Sequence, residues 1–308
     1  MRVLTLLGIL FYFTVQANGQ DIMAVHIQGQ VRVCNHGDDE TKAKSLNFGP
    51  VNANQKLILG QNAVVRFIRK TGEHCEVTKA GVYNISSLNF LKTSESSFMS
   101  KLGGFIKSFL EAKHSSESKE SYKNTVHAIS RGDQMLPILN FPFTGILPAE
   151  LTSIDFKWTH LCDTCVYELE VYEMASKSKL FSAKTAQKEY KFLNPLQYLL
   201  AENEYYWTVR VVNSKADVNA MTFKLAATNE YQLIVDELMQ QVQSTDIPLQ
   251  NLPKTMYIMK SLEEMGFENY AMIYGMKVLE ENPNDEMMKV FIVSYYESLL
   301  KRQLESQY

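Results

Sequence analysis

"FKWTHLCDTCVYELEVYE", residues 156–173, sets a Cys-x-x-Cys between two stretches in which apolar and polar residues alternate. Ile154, Phe156 and Trp158 keep step before the pair, and Tyr167, Leu169 and Val171 keep step after it, with the period of two that marks a strand buried on one face. A third set of this kind, Tyr205, Trp207, Val209 and Val211, follows downstream. Together they predict a β-sandwich. The cysteine pair between them admits three roles: redox centre, metal site or covalent clip. A thioredoxin-type redox pair sits where a strand feeds a helix, because the helix N-terminus depresses the thiol pKa. Here strands stand on both sides. Counted in twos, Cys162 continues the inward phase of Trp158 and His160, and Cys165 that of Tyr167 and Leu169. A disulfide at a chain reversal is therefore expected. His160, Cys162 and Cys165 offer three ligands where a closed zinc site takes four, so no metal is expected.

The N-terminus places the chain. "MRVLTLLGILFYFTVQANGQ" has one Arg, an apolar run from Val3 to Val15 and small residues at Ala17 and Gly19. This is the pattern of a secretory signal peptide spanning residues 1–19. The run is short of the roughly twenty residues a helix needs to span a bilayer, and no later stretch is apolar enough, so no transmembrane span is expected. The expected location is exported, either periplasmic or extracellular. Four cysteines in an exported chain make an even set, and two bonds are expected, Cys34 with Cys75 and Cys162 with Cys165. A net charge of −3 lacks the basic surplus that binding to phosphate backbones requires, so nucleic acid is not an expected partner.

The chain is long enough for two or three domains. Residues 21–92 read as a small all-β unit: "AVHIQGQVRVC" alternates, "KLILGQNAVVRFI" is rich in Val, Ile and Leu, and "CEVTKAGVYNISSL" follows the turn "KTGEH". In the "NAVVRFI" strand, the charged turn and the "KAGVYNISSL" close, this unit resembles the FecR-like β-domain of bacterial envelope proteins. Residues 93–135 form a helical segment and linker. Phe98, Leu102, Phe105, Ile106, Phe109 and Leu110 share a helical face expected to pack on a neighbouring domain rather than on a membrane surface, and "SSESKESYKN" is solvated. In residues 136–228, the spacing of Leu199, Tyr205, Trp207, Val209 and Val211 resembles the tyrosine-corner strand of fibronectin type III and immunoglobulin-like sandwiches. In residues 229–308 the period becomes helical. There Leu262, Gly266, Ala271, Leu279 and Pro283 resemble one tetratricopeptide repeat, which implies helical hairpins packed on the sandwich or on a partner. The expected whole is a multidomain, mainly β protein with an α-helical C-terminus.

Chemistry beyond the cysteine pair is thin. No Gly-x-Ser-x-Gly elbow, Gly-rich phosphate loop or His-Glu-x-x-His occurs, so neither an enzyme nor a cofactor is expected. "RGD" at 131–133 matches an integrin-binding tripeptide, but three residues recur by chance. Mapped by spacing, Met256, Lys260 and Glu263 line the concave side of the first repeat helix, with Val290 and Ser294 on the next. Core packing is the competing reading for Met256 and Val290. The resemblances imply a non-enzymatic exported envelope protein that binds a protein partner as a scaffold or complex subunit. One alternative is a glycan or cell-wall binding protein, acting through its first β-domain. Another is a thiol oxidoreductase using Cys162 and Cys165.

Overall fold

The computed structural model describes residues 22–69, 71–92, 101–105, 136–214, 218–244 and 251–307. The expected signal peptide, residues 93–100 and 106–135 of the expected helical segment and linker, with Phe98, Ile106, Phe109 and Leu110, and the "RGD" tripeptide lie outside them. The chain divides into two compact units, one from residues 1–114 with 245–257 and the other from 115–244 with 258–308.

In the first unit the strands are β1 (Ile22–Gln28), β2 (Val31–Asn35), β3 (Lys44–Ser45), β4 (Gly49–Val51), β5 (Gln55–Leu59), β6 (Val64–Arg69), β7 (His74–Val77) and β8 (Gly81–Asn84). They form two antiparallel sheets, ordered β4-β1-β6-β7 and β3-β2-β5-β8. Ile22, Ala24, Leu57, Leu59, Val65, Phe67 and Ile85 fill the core. The turn after β1 requires glycine: Gly29 has φ +75°, and a Cβ there would stand 3.0 Å from the Ala63 Cα. Residues 101–105 are helical and belong to this unit, with Leu102 and Phe105 buried and the Phe105 ring 6.3 Å from that of Tyr257.

The second unit opens with β9 (Ile138–Phe141), β10 (Gly145–Leu147), β11 (Ser153–Thr159), β12 (Tyr167–Glu173), β13 (Lys179–Thr185), β14 (Glu189–Leu193), β15 (Glu204–Val211) and β16 (Ala220–Leu225). A five-stranded sheet, β10-β16-β15-β12-β13, faces a three-stranded one, β14-β11-β9. All pairings are antiparallel except β10 with β16. The alternating sets point inward as predicted. Ile154, Phe156, Trp158, Tyr167, Leu169, Val171, Tyr205, Trp207 and Val209 are buried, and the Phe156 and Trp207 rings lie 5.0 Å apart. The tyrosine corner is present in bonds: the Leu200 N–H donates to the Tyr205 hydroxyl at 2.6 Å, which donates to the Leu200 carbonyl at 2.9 Å. The two-sheet arrangement with this corner is that of an immunoglobulin- or fibronectin-III-like sandwich.

Helices follow: α1 (Glu230–Gln243), α2 (Asn251–Glu264), α3 (Glu268–Glu281) and α4 (Glu286–Gln307). The boundary between the units falls inside α2. The helix ends where the sequence placed its glycine. Gly266 adopts φ +82°, its N–H bonds the Glu263 carbonyl, and the Phe267 N–H bonds that of Leu262, a Schellman close. Within the second unit α3 is fastened to the sandwich. The Asn269 carboxamide accepts from the Phe143 N–H and donates to the Phe143 carbonyl, each at 2.9 Å. Phe143 also packs 5.8 Å from the Tyr296 ring of α4. Of the described helices, none is long and apolar enough to cross a membrane.

One expectation is corrected here. Cys34 and Cys75 are separate buried thiols, not a bridge. Cys34 lies on β2 opposite Lys56, and Cys75 on β7 opposite Phe67, so the two belong to different sheets. An even cysteine count says nothing of which strands register brings together. Burial pushes the Cys75 thiol up, away from the reactive thiolate.

Candidate functional site

Three features of the second unit hold the groups with chemical potential. The first is the turn between β11 and β12. Cys162 and Cys165 are joined there by a disulfide with a Cα separation of 5.6 Å. His160 is buried at the end of the inward row of β11, and both half-cystines are half-buried. Tyr167, wholly buried at the start of β12, ties the turn together. Its hydroxyl donates to the Cys162 carbonyl at 2.8 Å and lies 3.1 Å from the His160 Nδ1. Burial raises the Tyr167 hydroxyl pKa, so it keeps this proton. At the rim, Lys188 donates to Asp163 at 2.8 Å, and that bond lowers the Asp163 carboxyl pKa.

The second feature is the outer face of the five-stranded sheet. Glu170 is 5% exposed there, held by Lys179 at 2.8 Å, the Tyr172 hydroxyl at 3.0 Å and Arg210 at 3.8 Å. Burial alone would raise the Glu170 pKa, but these donors outweigh it and hold it low. Tyr172 stacks on Tyr206 with ring centroids 4.8 Å apart. Every group in this cluster is matched by a neighbour. It is a structural clasp rather than a reacting set.

The third feature was missed by the sequence reading. At the opposite end of β11 from the disulfide, the turn after β14 turns apolar side chains to solvent: Leu193 59% exposed, Leu196 52%, Tyr198 48% and Leu200 66%. Pro195 and Leu199 are buried and anchor the turn. "LNPLQYLL" carries the composition of a core segment, so only the positions left over after anchoring identify the exposed set.

The partner-facing residues expected from the repeat scatter. Met256 is wholly buried, which corrects its placement on a concave surface: its position on α2 faces the core. Lys260 and Glu263 are committed to each other at 2.7 Å, Glu263 also accepts from Arg302 at 2.5 Å, and Lys260 stands 5.0 Å over the Tyr295 ring. Val290 is exposed and Ser294 half-buried on α4. Spacing cannot distinguish a concave lining from a seam between helices, because both recur every third or fourth residue. Beside Arg302 a shallow cleft of about 190 Å³ is lined by Phe143, Thr144, Glu268, Leu299 and Gln303. In the first β-domain the aromatics Phe67, Tyr83 and Phe90 are buried or half-buried. The Tyr83 hydroxyl bonds the Lys79 carbonyl, and Arg69 lies 4.1 Å over the Phe90 ring.

No known protein family matches the chain, and no curated protein does either. Among solved structures, CopC from Methylosinus trichosporium OB3b is 10% identical, over 30% of this chain and 94% of its own, with a TM-score of 0.23. FN3tt is 19% identical, over 30% of this chain and 98% of its own, with a TM-score of 0.21.

Proposed function

We propose that this chain is an exported, non-enzymatic binding protein of the bacterial envelope, a scaffold or complex subunit whose protein partner seats on the turn Leu193–Leu200. The observation that carries this reading is the exposure of Leu193, Leu196, Tyr198 and Leu200 together on one short turn. Covering apolar surface is worth about 25 cal/mol per Å², and a contiguous patch of this kind marks contact surfaces. Two neighbours add to it. Among the described residues β13 and β14 end their sheets, each with one edge unpaired there, and the Phe181 and Phe192 rings they carry meet at 4.4 Å, with Tyr198 against both. A partner segment laid along either edge would gain backbone hydrogen bonds as well as apolar cover. The N-terminal leader pattern supports export, and the FecR-like and tetratricopeptide-like resemblances support a contact role.

The test is in-cell crosslinking of the tagged full chain in its own host, with mass spectrometry of what is recovered. A stoichiometric protein partner is expected with the natural sequence and lost from Leu196→Asp/Leu200→Asp, while far-ultraviolet circular dichroism is unchanged. Recovery of the chain alone, or a partner retained equally by the double variant, refutes the reading.

A further inference from the structure

The turn between β11 and β12 carries more than a clip. A ring nitrogen of His160 and the sulfurs of Cys162 and Cys165 all lie within 4.8 Å of one another. We infer that this turn is a redox-gated metal site: on reduction of the disulfide, His160, Cys162 and Cys165 bind one soft, closed-shell cation.

The frame suits that task without backbone movement. Two thiolates on one cation, each at about 2.3 Å, stand about 4 Å apart. A Cα separation of 5.6 Å accommodates that spacing once the sulfurs part by rotation about their side-chain bonds. Both cysteines are half-buried, so a reductant reaches them, while the Trp158 and Tyr167 rows beneath hold the strand ends in place. The histidine is oriented as well. The Tyr167 hydroxyl, 3.1 Å from the His160 Nδ1 and donating to the Cys162 carbonyl, ties the ring to the turn, the outer contact that keeps a histidine ligand in orientation. Two thiolates and an imidazole are soft donors. They select Cu(I) or Zn(II) over Mg(II) or Ca(II), and three donors complete a trigonal Cu(I) site while leaving one position open on Zn(II).

The reaction balances with an external dithiol as reductant. Its sulfurs attack and form their own disulfide, the Cys162–Cys165 bond takes up two electrons, and two protons pass to the released sulfurs. The entering cation displaces those protons to solvent. This inference does not depend on the apolar turn at the other end of the sandwich.

The experiment uses the full chain carrying Cys34→Ala and Cys75→Ala, so that the pair is the sole thiol source. It is reduced with dithiothreitol under nitrogen, freed of the reductant by gel filtration, and titrated with Cu(I) or Zn(II) against a chromophoric chelator. One equivalent of at least one cation is expected on the reduced chain and none on the unreduced chain. Alkylation of Cys162 and Cys165, read by peptide mass, is expected to slow when the cation is present. His160→Gln, which keeps the disulfide and both thiols, should weaken binding by about tenfold or more, and Tyr167→Phe, which loses only the orienting hydroxyl, by about tenfold. Uptake that is equal with and without reduction, uptake by neither state, or affinity indifferent to His160→Gln overturns the inference. So does loss of near-ultraviolet circular dichroism on reduction, because the site needs the sandwich to hold its frame.

Discussion

Asn269 on α3 forms a two-bond pair with the backbone of Phe143 in the β9–β10 connection, with all four participating groups buried. One side chain thus satisfies a donor and an acceptor that the sheet cannot reach, and holds helix and sandwich in one unit. Asn269→Ala leaves the Phe143 N–H and C=O unpaired in the interior. The expected loss is about 2–4 kcal/mol, read from the urea midpoint of the transition. A shift below about 0.5 kcal/mol would show that water replaces the carboxamide freely.

Tyr205→Phe tests the tyrosine corner. The variant keeps the buried ring but removes the hydroxyl that both accepts from and donates to Leu200. A loss of about 1–3 kcal/mol is expected in urea unfolding. An unchanged midpoint would mean that the corner is held by packing alone.

Gly275 lies where α3 passes close to Met259 and Ile292. A Cβ there would stand 2.7 Å from the Met259 Sδ and Cε and 3.5 Å from Ile292. The Met259 tip is flexible and can yield. Gly275→Ala is therefore expected within about 1 kcal/mol of the natural chain, since the gain in helix propensity offsets the displacement. Gly275→Val adds bulk that the buried tip cannot clear, and a loss of about 1–3 kcal/mol is expected in the same assay. Equal stability for the two variants would contradict this close approach.

Alkaline pH should unfold the second unit from its tyrosines. Burial, with Glu170 beside it, pushes the Tyr172 hydroxyl up to about 12, and burial pushes Tyr274 up to about 12. Tyr231, Tyr270 and Tyr295 are raised by the same cause. A free tyrosine ionises near pH 10, so the folded chain holds these protons after the unfolded chain has released them. The stability they contribute is fully present below about pH 10 and is lost as pH climbs toward 12. Urea midpoints flat from pH 7 to 9 and falling above about 10 are the expected outcome. Midpoints still flat at pH 12 would contradict it.

Thiol counting settles the cysteine arrangement. Of the four cysteines, two are bonded and two free, so a denatured, non-reduced chain should titrate two thiols and a reduced one four. In the native chain both free thiols should react slowly, because Cys34 and Cys75 are buried. A denatured count of zero would restore the Cys34–Cys75 bond.

By itself the sequence determined which faces are buried: Ile154, Phe156 and Trp158, Tyr167 to Val171 and Tyr205 to Val209 alternate in print as they do in the sandwich. It also placed Tyr205 at its corner and Gly266 at the close of α2, because these are local rules of period, spacing and φ that need no knowledge of distant chain. The tertiary structure alone decided the rest. Cys34 and Cys75 are separate thiols on strands of different sheets, which an even count of cysteines could not show. Met256 goes inside because a helix seam and a binding groove share one period. Leu193, Leu196, Tyr198 and Leu200 remain outside while Pro195 and Leu199 of the same turn are buried. Asn269 finds Phe143 across a separation of 126 residues, and His160 finds Tyr167 across a turn. Each of these depends on which surfaces meet once the local elements have formed, and that is a property of the packed chain.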